Sequence, residues 1–169
     1  MKQTDTQWLV LYTKVKHEKK VCELFAKNEI TFFHPTFTTI KQWSDRKKKM
    51  EVLLFPRIIF VKREDVNLIN NLSSSSIVGY LKNNSKFALV KNYEIENIKL
   101  LLNEWSGKIN EKTNQDFNKY DLVIVEKGKF QGVIGRSMVV NTKHKLVIEI
   151  ETLGNFIMLE IPKSMVRKI

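Results

Sequence analysis

YDLVIVEKGKFQGVIG, residues 120–135, sets a β-rich apolar run against a turn built on three glycines and one aromatic. Runs of β-branched residues closed by glycine-rich connections read as strands joined by tight turns. At Gly128, Gly132 and Gly135 glycine supplies positive φ or close backbone approach around Phe130, which covers the end of the structure. A generic hairpin with an incidental aromatic is the plainer reading, and the position straight after YDLVIVE disfavours it. Outward from this stretch the same rhythm fills residues 119–169: DLVIVE, VIGRSMVV, KLVIEIE, FIMLEI and MVRKI, separated by KGKFQG, NTKHK, TLGN and PKS. Short strands in close succession predict a small β-barrel, because closure removes exposed edges.

Upstream, SGKINEKTNQDFN (106–118) is polar and aperiodic, as a tether is, and it places a domain boundary there. Before it, Asn92 can cap a helix with Ile95, Ile98, Leu102 and Trp105 on one face, Glu94 and Glu96 in its first turn and Gly107 at its end. QWLVLYT (7–13) reads as a buried strand. Over 16–28, Val21, Cys22, Leu24 and Phe25 recur at helical spacing between Glu18, Lys19, Lys20, Glu23 and Lys27. ITFFHPTFTTI (30–40) is an edge or irregular strand at Pro35. The charged stretch 41–49 reads as a loop or hairpin tip, MEVLLFPRIIFVK as the next strand, EDVNLINNL as a short helix and IVGYL as a strand. Trp8, Phe25, Phe33 and Trp105 belong to the periodic core pattern. Strand alternation can place Tyr12, Ile58, Phe60 and Leu81 on an exposed sheet face, where a contiguous apolar patch marks a protein-binding site.

The 169 residues are 43% apolar, enough for packed cores, and carry a net charge of +11 with pI near 9.7. Such a balance favours polyanionic partners, nucleic acid first. Residues 1–105 hold 18 Lys and Arg against 11 Asp and Glu, and 106–169 hold 11 against 7, so the first half is the stronger candidate for nucleic acid. The plain reading of Arg46, Lys47, Lys48 and Lys49 is a solvated tip. Trp43 beside them tilts the reading toward nucleic acid, since an aromatic can stack on bases while cations track phosphates. No apolar run is long enough to span a bilayer, MKQTDTQW has no signal-peptide core, and the single Cys22 fits a reducing compartment; the expectation is a cytoplasmic protein with no membrane partner.

Catalytic constellations are not found. His17, Cys22, His34 and His144 are scattered without paired metal-ligand spacing, Asp45 and Glu51 lack the lysine a nuclease pattern needs, and no P-loop, G-x-S-x-G or dinucleotide fingerprint is present. The expectation is a chain with no cofactor, no metal and no enzymatic activity.

These residues together resemble the NusG family. YDLVIVEKGKFQGVIG is similar to the KOW motif, a strand followed by G-x-F-x-G-x-x-G, and LEIPKSMVRKI to the end of a KOW domain. WLVLYTK (8–14), HEKKV (17–21) and L-F-P-x-x-x-F-V (54–61) resemble the NusG amino-terminal (NGN) domain. WSDRKKKMEVLLFP is particularly similar to specialised NusG paralogues of the UpxY kind, antiterminators of capsular polysaccharide operons, and less directly to RfaH. The resemblance implies an α+β two-domain chain: an NGN α/β sandwich with an antiparallel sheet over 1–105, a flexible linker over 106–118, and a small SH3-like KOW β-barrel over 119–169. It implies a monomeric transcription elongation factor that grips the clamp helices of RNA polymerase through Tyr12, Ile58, Phe60 and Leu81. It further implies contact with non-template or upstream DNA through Lys14, Lys16, His17 and Lys20, with nascent RNA as another candidate; the residues at the tip, Trp43 and Arg46 to Lys49, join this surface. Phe130, Leu153 and Asn155 are the KOW candidates for a ribosomal protein or Rho. Alternatives are a housekeeping factor linking polymerase to Rho or the ribosome, and a ribosomal KOW protein that binds RNA.

Overall fold

Alternation along residues 8–13 organises the amino-terminal half. In the computed structural model, which describes residues 7–43, 45–104, 120–140, 143–150, 153 and 155–169, β1 (Trp8–Thr13) runs antiparallel to β5 (Ile58–Lys62), β6 (Ile77–Tyr80) and β9 (Leu89–Val90). β2 (Phe32–Phe33) pairs with the far edge of β5, giving the order β2-β5-β1-β6 with β9 also on β1. Leu9 and Leu11 turn to one side of this sheet together with Ile59 and Val61. Against them α1 (Glu18–Lys27) lays Val21 and Phe25, and Ile30 and Ile69, the latter from α2 (Val66–Asn71), complete the core. Each of these buried side chains contributes roughly 1.5–3 kcal/mol by leaving water, which is what holds a helix with only 10 residues in place.

Two readings of the sequence are corrected next to this sheet. Of the two readings of 41–49 the hairpin is the one formed, with a shorter tip than expected: β3 (Thr36–Gln42) and β4 (Lys47–Leu53) form a two-stranded hairpin whose register ends at Gln42 opposite Lys47. Lys47, Lys48 and Lys49 are therefore strand residues. Lysine is tolerated there because an exposed ladder leaves the ammonium groups in water. Nor is MEVLLFPRIIFVK one strand. Pro56 has no N–H to donate and Arg57 sits at φ +67°, so the chain turns after Leu53 and resumes in the other sheet at Ile58. Pro35 separates β2 from β3 as the sequence suggested. A 3-10 turn (Arg63–Asp65) leads into α2, and β7 (Lys82–Asn83) meets β8 (Lys86–Phe87) across Asn84 and Ser85, both at positive φ as a two-residue hairpin turn requires.

Contacts divide the chain into two compact units, Met1–Asn92 and Tyr93–Ile169. α3 (Asn92–Glu104) thus begins at the junction and packs within the second unit, burying Ile95, Ile98 and Leu101; Leu102, expected on that face, is half-buried. Trp105, Gly107 and the tether 106–118 lie outside the described residues. The second unit contains one five-stranded antiparallel sheet, β13-β12-β11-β10-β14, from β10 (Asp121–Val125), β11 (Ile134–Val140), β12 (Lys143–Ile150), β13 (Asn155–Glu160) and β14 (Val166–Lys168). The glycines of 128–135 divide their tasks: Gly128 and Gly132 take φ of +87° and +91°, while a Cβ at Gly135 would stand 2.6 Å from the Val147 carbonyl oxygen. Asn97 ties α3 to this turn, donating from Nδ2 to the Ile134 carbonyl at 2.8 Å and accepting the Ile134 N–H at 3.1 Å. The α+β class with antiparallel sheets is the one the sequence implied.

Candidate functional site

The face of the first sheet turned away from α1 gathers the four apolar candidates. Register places Tyr12 opposite Ile58 and Val10 opposite Phe60, and the Leu81 N–H donates to the Val10 carbonyl at 2.8 Å, so Tyr12, Ile58, Phe60 and Leu81 share one face. Their exposure differs. Phe60 is fully buried and Ile58 is 8% exposed, whereas Tyr12 and Leu81 are half-buried. Phe60 is held by rings: Phe33 stacks on it at 6.1 Å and Phe55 meets it edge-on at 6.2 Å. Phe60 and Ile58 form the floor of this face, and Tyr12 and Leu81 the accessible part.

Between β1 and α1 the cations are spread. Lys14, Lys16 and Lys20 are exposed, with Lys16 at φ +62°. His17 is half-buried and committed, its Nδ1 lying 2.9 Å from the Ser76 hydroxyl. The sequence did not mark Glu18, which looks like one more surface charge on an amphipathic helix. It is 5% exposed, and its Oε1 accepts the Arg57 N–H at 2.9 Å. Arg57 in turn donates from Nε to the Thr13 carbonyl at 3.2 Å, and its own carbonyl accepts the Thr13 N–H at 2.9 Å. This network holds the strained turn before β5 in place. Helical spacing cannot reveal such a contact because the partner is 39 residues away.

On the β3–β4 hairpin, alternation divides the cations between two faces. Lys47 and Lys49 project with Ile40, Glu51 and Leu53, while Lys48 projects on the other side, its Nζ 5.9 Å from the ring of Trp43. Trp43 is 52% exposed, and its N–H donates to the Arg46 carbonyl at 2.8 Å, closing the tip. Arg46 reaches Asp45 at 3.8 Å, but both are exposed and the pair adds little stability.

Burial shifts three titratable groups nearby. It is the leading cause that pushes the Cys22 thiol up to about 11, with Glu18 adding to it, which keeps the thiol protonated and unreactive. It also pushes Tyr80 up to about 12 and holds His34 below its ordinary value of 6.5, so that its imidazole is neutral. Tyr80 Oη and His34 Nε2 are both buried and have no hydrogen-bond partner among the described residues.

In the second unit Phe130 and Leu153 are half-buried, and Asn155 opens β13 opposite Ile150. Thr152, Gly154 and the Asn155 side chain lie outside the described residues. Among the described residues, no three His, Cys, Asp or Glu side chains converge as a metal site, and no helix is long and apolar enough to cross a membrane.

The family described as "Transcription termination factor nusG" matches residues 6–99, more than half of the chain. The chain belongs to the NusG family. Among solved structures it is similar to a Thermotoga maritima NusG described under "Domain interaction in Thermotoga maritima NusG", at 20% identity over 97% of each chain with a TM-score of 0.45. It is also similar to a chain of the MjSpt4:Spt5 complex, at 18% identity over 96% of this chain and 97% of that one, with a TM-score of 0.27. No curated protein matches. The NusG match takes in β1 through β9 and the start of α3, hence Tyr12, Ile58, Phe60, Leu81 and the whole cationic hairpin; Phe130, Leu153 and Asn155 lie beyond it.

Proposed function

We propose that this NusG-family chain is a non-enzymatic, cytoplasmic transcription elongation factor of the UpxY and RfaH kind, which rides RNA polymerase and suppresses pausing and termination across a capsular polysaccharide operon. The observation that carries the reading is the single sheet face shared by Tyr12, Ile58, Phe60 and Leu81, in a chain whose family match covers that sheet. In this proposal residues 1–105 supply the NGN domain, with its last helix α3 packed in the second compact unit, and 119–169 a KOW barrel joined by the 106–118 tether. The polymerase clamp helices cover Tyr12 and Leu81 over the floor made by Ile58 and Phe60, and burial of apolar area supplies the affinity. Lys14, Lys16, Lys20 and the hairpin cations hold upstream duplex or non-template strand by counterion release. No bond is made or broken by the factor, so its whole effect is differential binding to the elongating polymerase.

The test is a polymerase pull-down with the double variant Tyr12→Asp and Leu81→Asp, followed by in vitro transcription through terminators of a polysaccharide operon. Retained polymerase is expected to fall by about tenfold or more, as for loss of an interface hot spot, with an unchanged circular dichroism spectrum, and readthrough should drop to the level without factor. An undiminished pull-down would remove the clamp contact from this face. Equal readthrough on templates from unrelated operons would remove the operon-specific part of the reading.

A further inference from the structure

Among the described residues of the first unit, the buried polar side chains are those of Thr13, Glu18 and Ser76, and all three sit at one end of its sheet. The short connection from β1 to α1 joins them: Thr13 closes β1, Glu18 opens α1, and Ser76 immediately precedes β6. From this connection the Lys14 N–H donates to the Ser76 carbonyl at 2.9 Å, and His17 Nδ1 lies 2.9 Å from the Ser76 hydroxyl. Burying a polar group costs free energy unless it finds a partner, and here the partners stand at the ends of β1, β5 and β6. Those are the three strands that carry or lead into Tyr12, Ile58, Phe60 and Leu81.

Arg57 occupies the strained corner of this cluster. Its φ of +67° is a conformation that residues other than glycine rarely adopt, and glycine would make the same turn without the strain. Such a residue persists where its surroundings over-determine it. Here the Arg57 N–H donates to Glu18 Oε1 at 2.9 Å, its carbonyl accepts the Thr13 N–H at 2.9 Å, and its Nε donates to the Thr13 carbonyl at 3.2 Å. The bonds to Thr13 come from the neighbouring strand, and the bond to Glu18 comes from the helix. Ile58 follows Arg57 at once, Tyr12 precedes Thr13, and Tyr12 and Ile58 are register partners on the face turned away from α1. The conformation of the turn therefore sets how these two side chains stand to each other. Without the Glu18 oxygen, Arg57 relaxes toward negative φ and turns the peptide that leads into Ile58.

We propose that Glu18 is a positioning residue for the polymerase contact: from the opposite side of the sheet its carboxylate holds Arg57 in the left-handed conformation that sets Ile58 against Tyr12. The proposal rests on the polymerase-binding part of the function proposed above and adds to it a residue that touches no partner. A face held in its binding geometry before the encounter loses less conformational freedom on binding, so release of the turn weakens the contact without removing an atom from it. What matters at Glu18 is then the reach of its oxygen and not its charge.

The experiment measures the affinity of the full-length protein for immobilised core RNA polymerase, free of nucleic acid, at a temperature well below the thermal midpoint of every variant. Glu18→Asp keeps the charge but is one methylene shorter and cannot reach the Arg57 N–H, whereas Glu18→Gln gives up the charge and keeps an oxygen at the right reach. Glu18→Asp should weaken binding by about fivefold to tenfold, and Glu18→Gln should stay within about twofold of the unaltered protein. Adding Arg57→Gly to Glu18→Asp should return most of the lost affinity, because glycine holds positive φ without help from the helix. The reverse order, with Gln weaker than Asp, would make charge the cause and overturn the proposal. A lowered thermal midpoint with unchanged affinity for Glu18→Asp would make Glu18 a stabilising residue only and overturn it too. If Tyr12→Asp with Leu81→Asp leaves polymerase binding intact, the polymerase face is misassigned and the proposal falls with it. If that pair abolishes binding while Glu18→Asp does not weaken it, the face stands and the positioning role alone is lost.

Discussion

Gly135 has no room for a methyl group, because the atom its Cβ would strike, the Val147 carbonyl oxygen, belongs to the backbone of the neighbouring strand. Gly135→Ala is therefore expected to destabilise the second unit by about 3 kcal/mol, read by urea denaturation. Gly128→Ala faces only its positive φ and should cost about 1–2 kcal/mol. His34 makes a pH prediction. Burial holds its folded pKa below the unfolded value of 6.5, so below that pH the unfolded chain binds the extra proton and stability falls as pH drops through the folded pKa. His34→Gln should flatten the dependence of the denaturation midpoint between pH 7 and 5; an unchanged slope would place the titration elsewhere. At Phe60 folding comes before any binding role. Its polar replacement reads as a binding test from sequence, yet the side chain is fully buried between Phe33 and Phe55, and truncating it is expected to cost about 3–5 kcal/mol of folding first.

At the scale of elements, Asn97 is the joint to probe. Its amide makes both hydrogen bonds to the Ile134 backbone, so Asn97→Ala leaves a donor and an acceptor at the half-buried start of β11 unpaired. A loss of about 1–3 kcal/mol is expected, with hydrogen exchange at Ile134 accelerating by the corresponding factor. Most elements were legible because their signals are local. Short β-rich apolar runs marked β1 and β10 through β14, and helical spacing marked α1 and α3. What failed was local as well: the cations 47–49, read as part of a loop or hairpin tip, lie in the strand beside the tip because an exposed ladder accepts lysine, and LLFPRII looked continuous although Pro56 and Arg57 divide it between two sheets. The contact of Glu18 with Arg57 and the orphaned His34 nitrogen were not legible at all, since each depends on groups far away in the chain.

For the whole molecule, net charge and its placement make one further prediction. Reversing Lys47, Lys48 and Lys49 to Glu should leave the thermal midpoint within a few degrees, because all three are exposed strand residues. The same change should weaken DNA binding and flatten its salt dependence by about 0.7–0.9 in slope for each phosphate no longer neutralised. An unaltered slope would return the hairpin to its plain reading as a solvated tip. Composition, periodicity and glycine placement determined by themselves the class of fold, the identity of β1, β6, β10 to β14 and the three α-helices, and the basic character of the surface, but not β4 or β7 to β9. These follow from propensity and solvation, which act within a few residues. Tertiary structure alone decided that Tyr12, Ile58, Phe60 and Leu81 meet on one face, that two of them are closed off from water, that the cations divide between the two sides of the hairpin, and that Glu18 is buried against Arg57. Those facts come from register and packing between segments tens of residues apart, where burial and hydrogen-bond satisfaction outweigh the preference of any one residue.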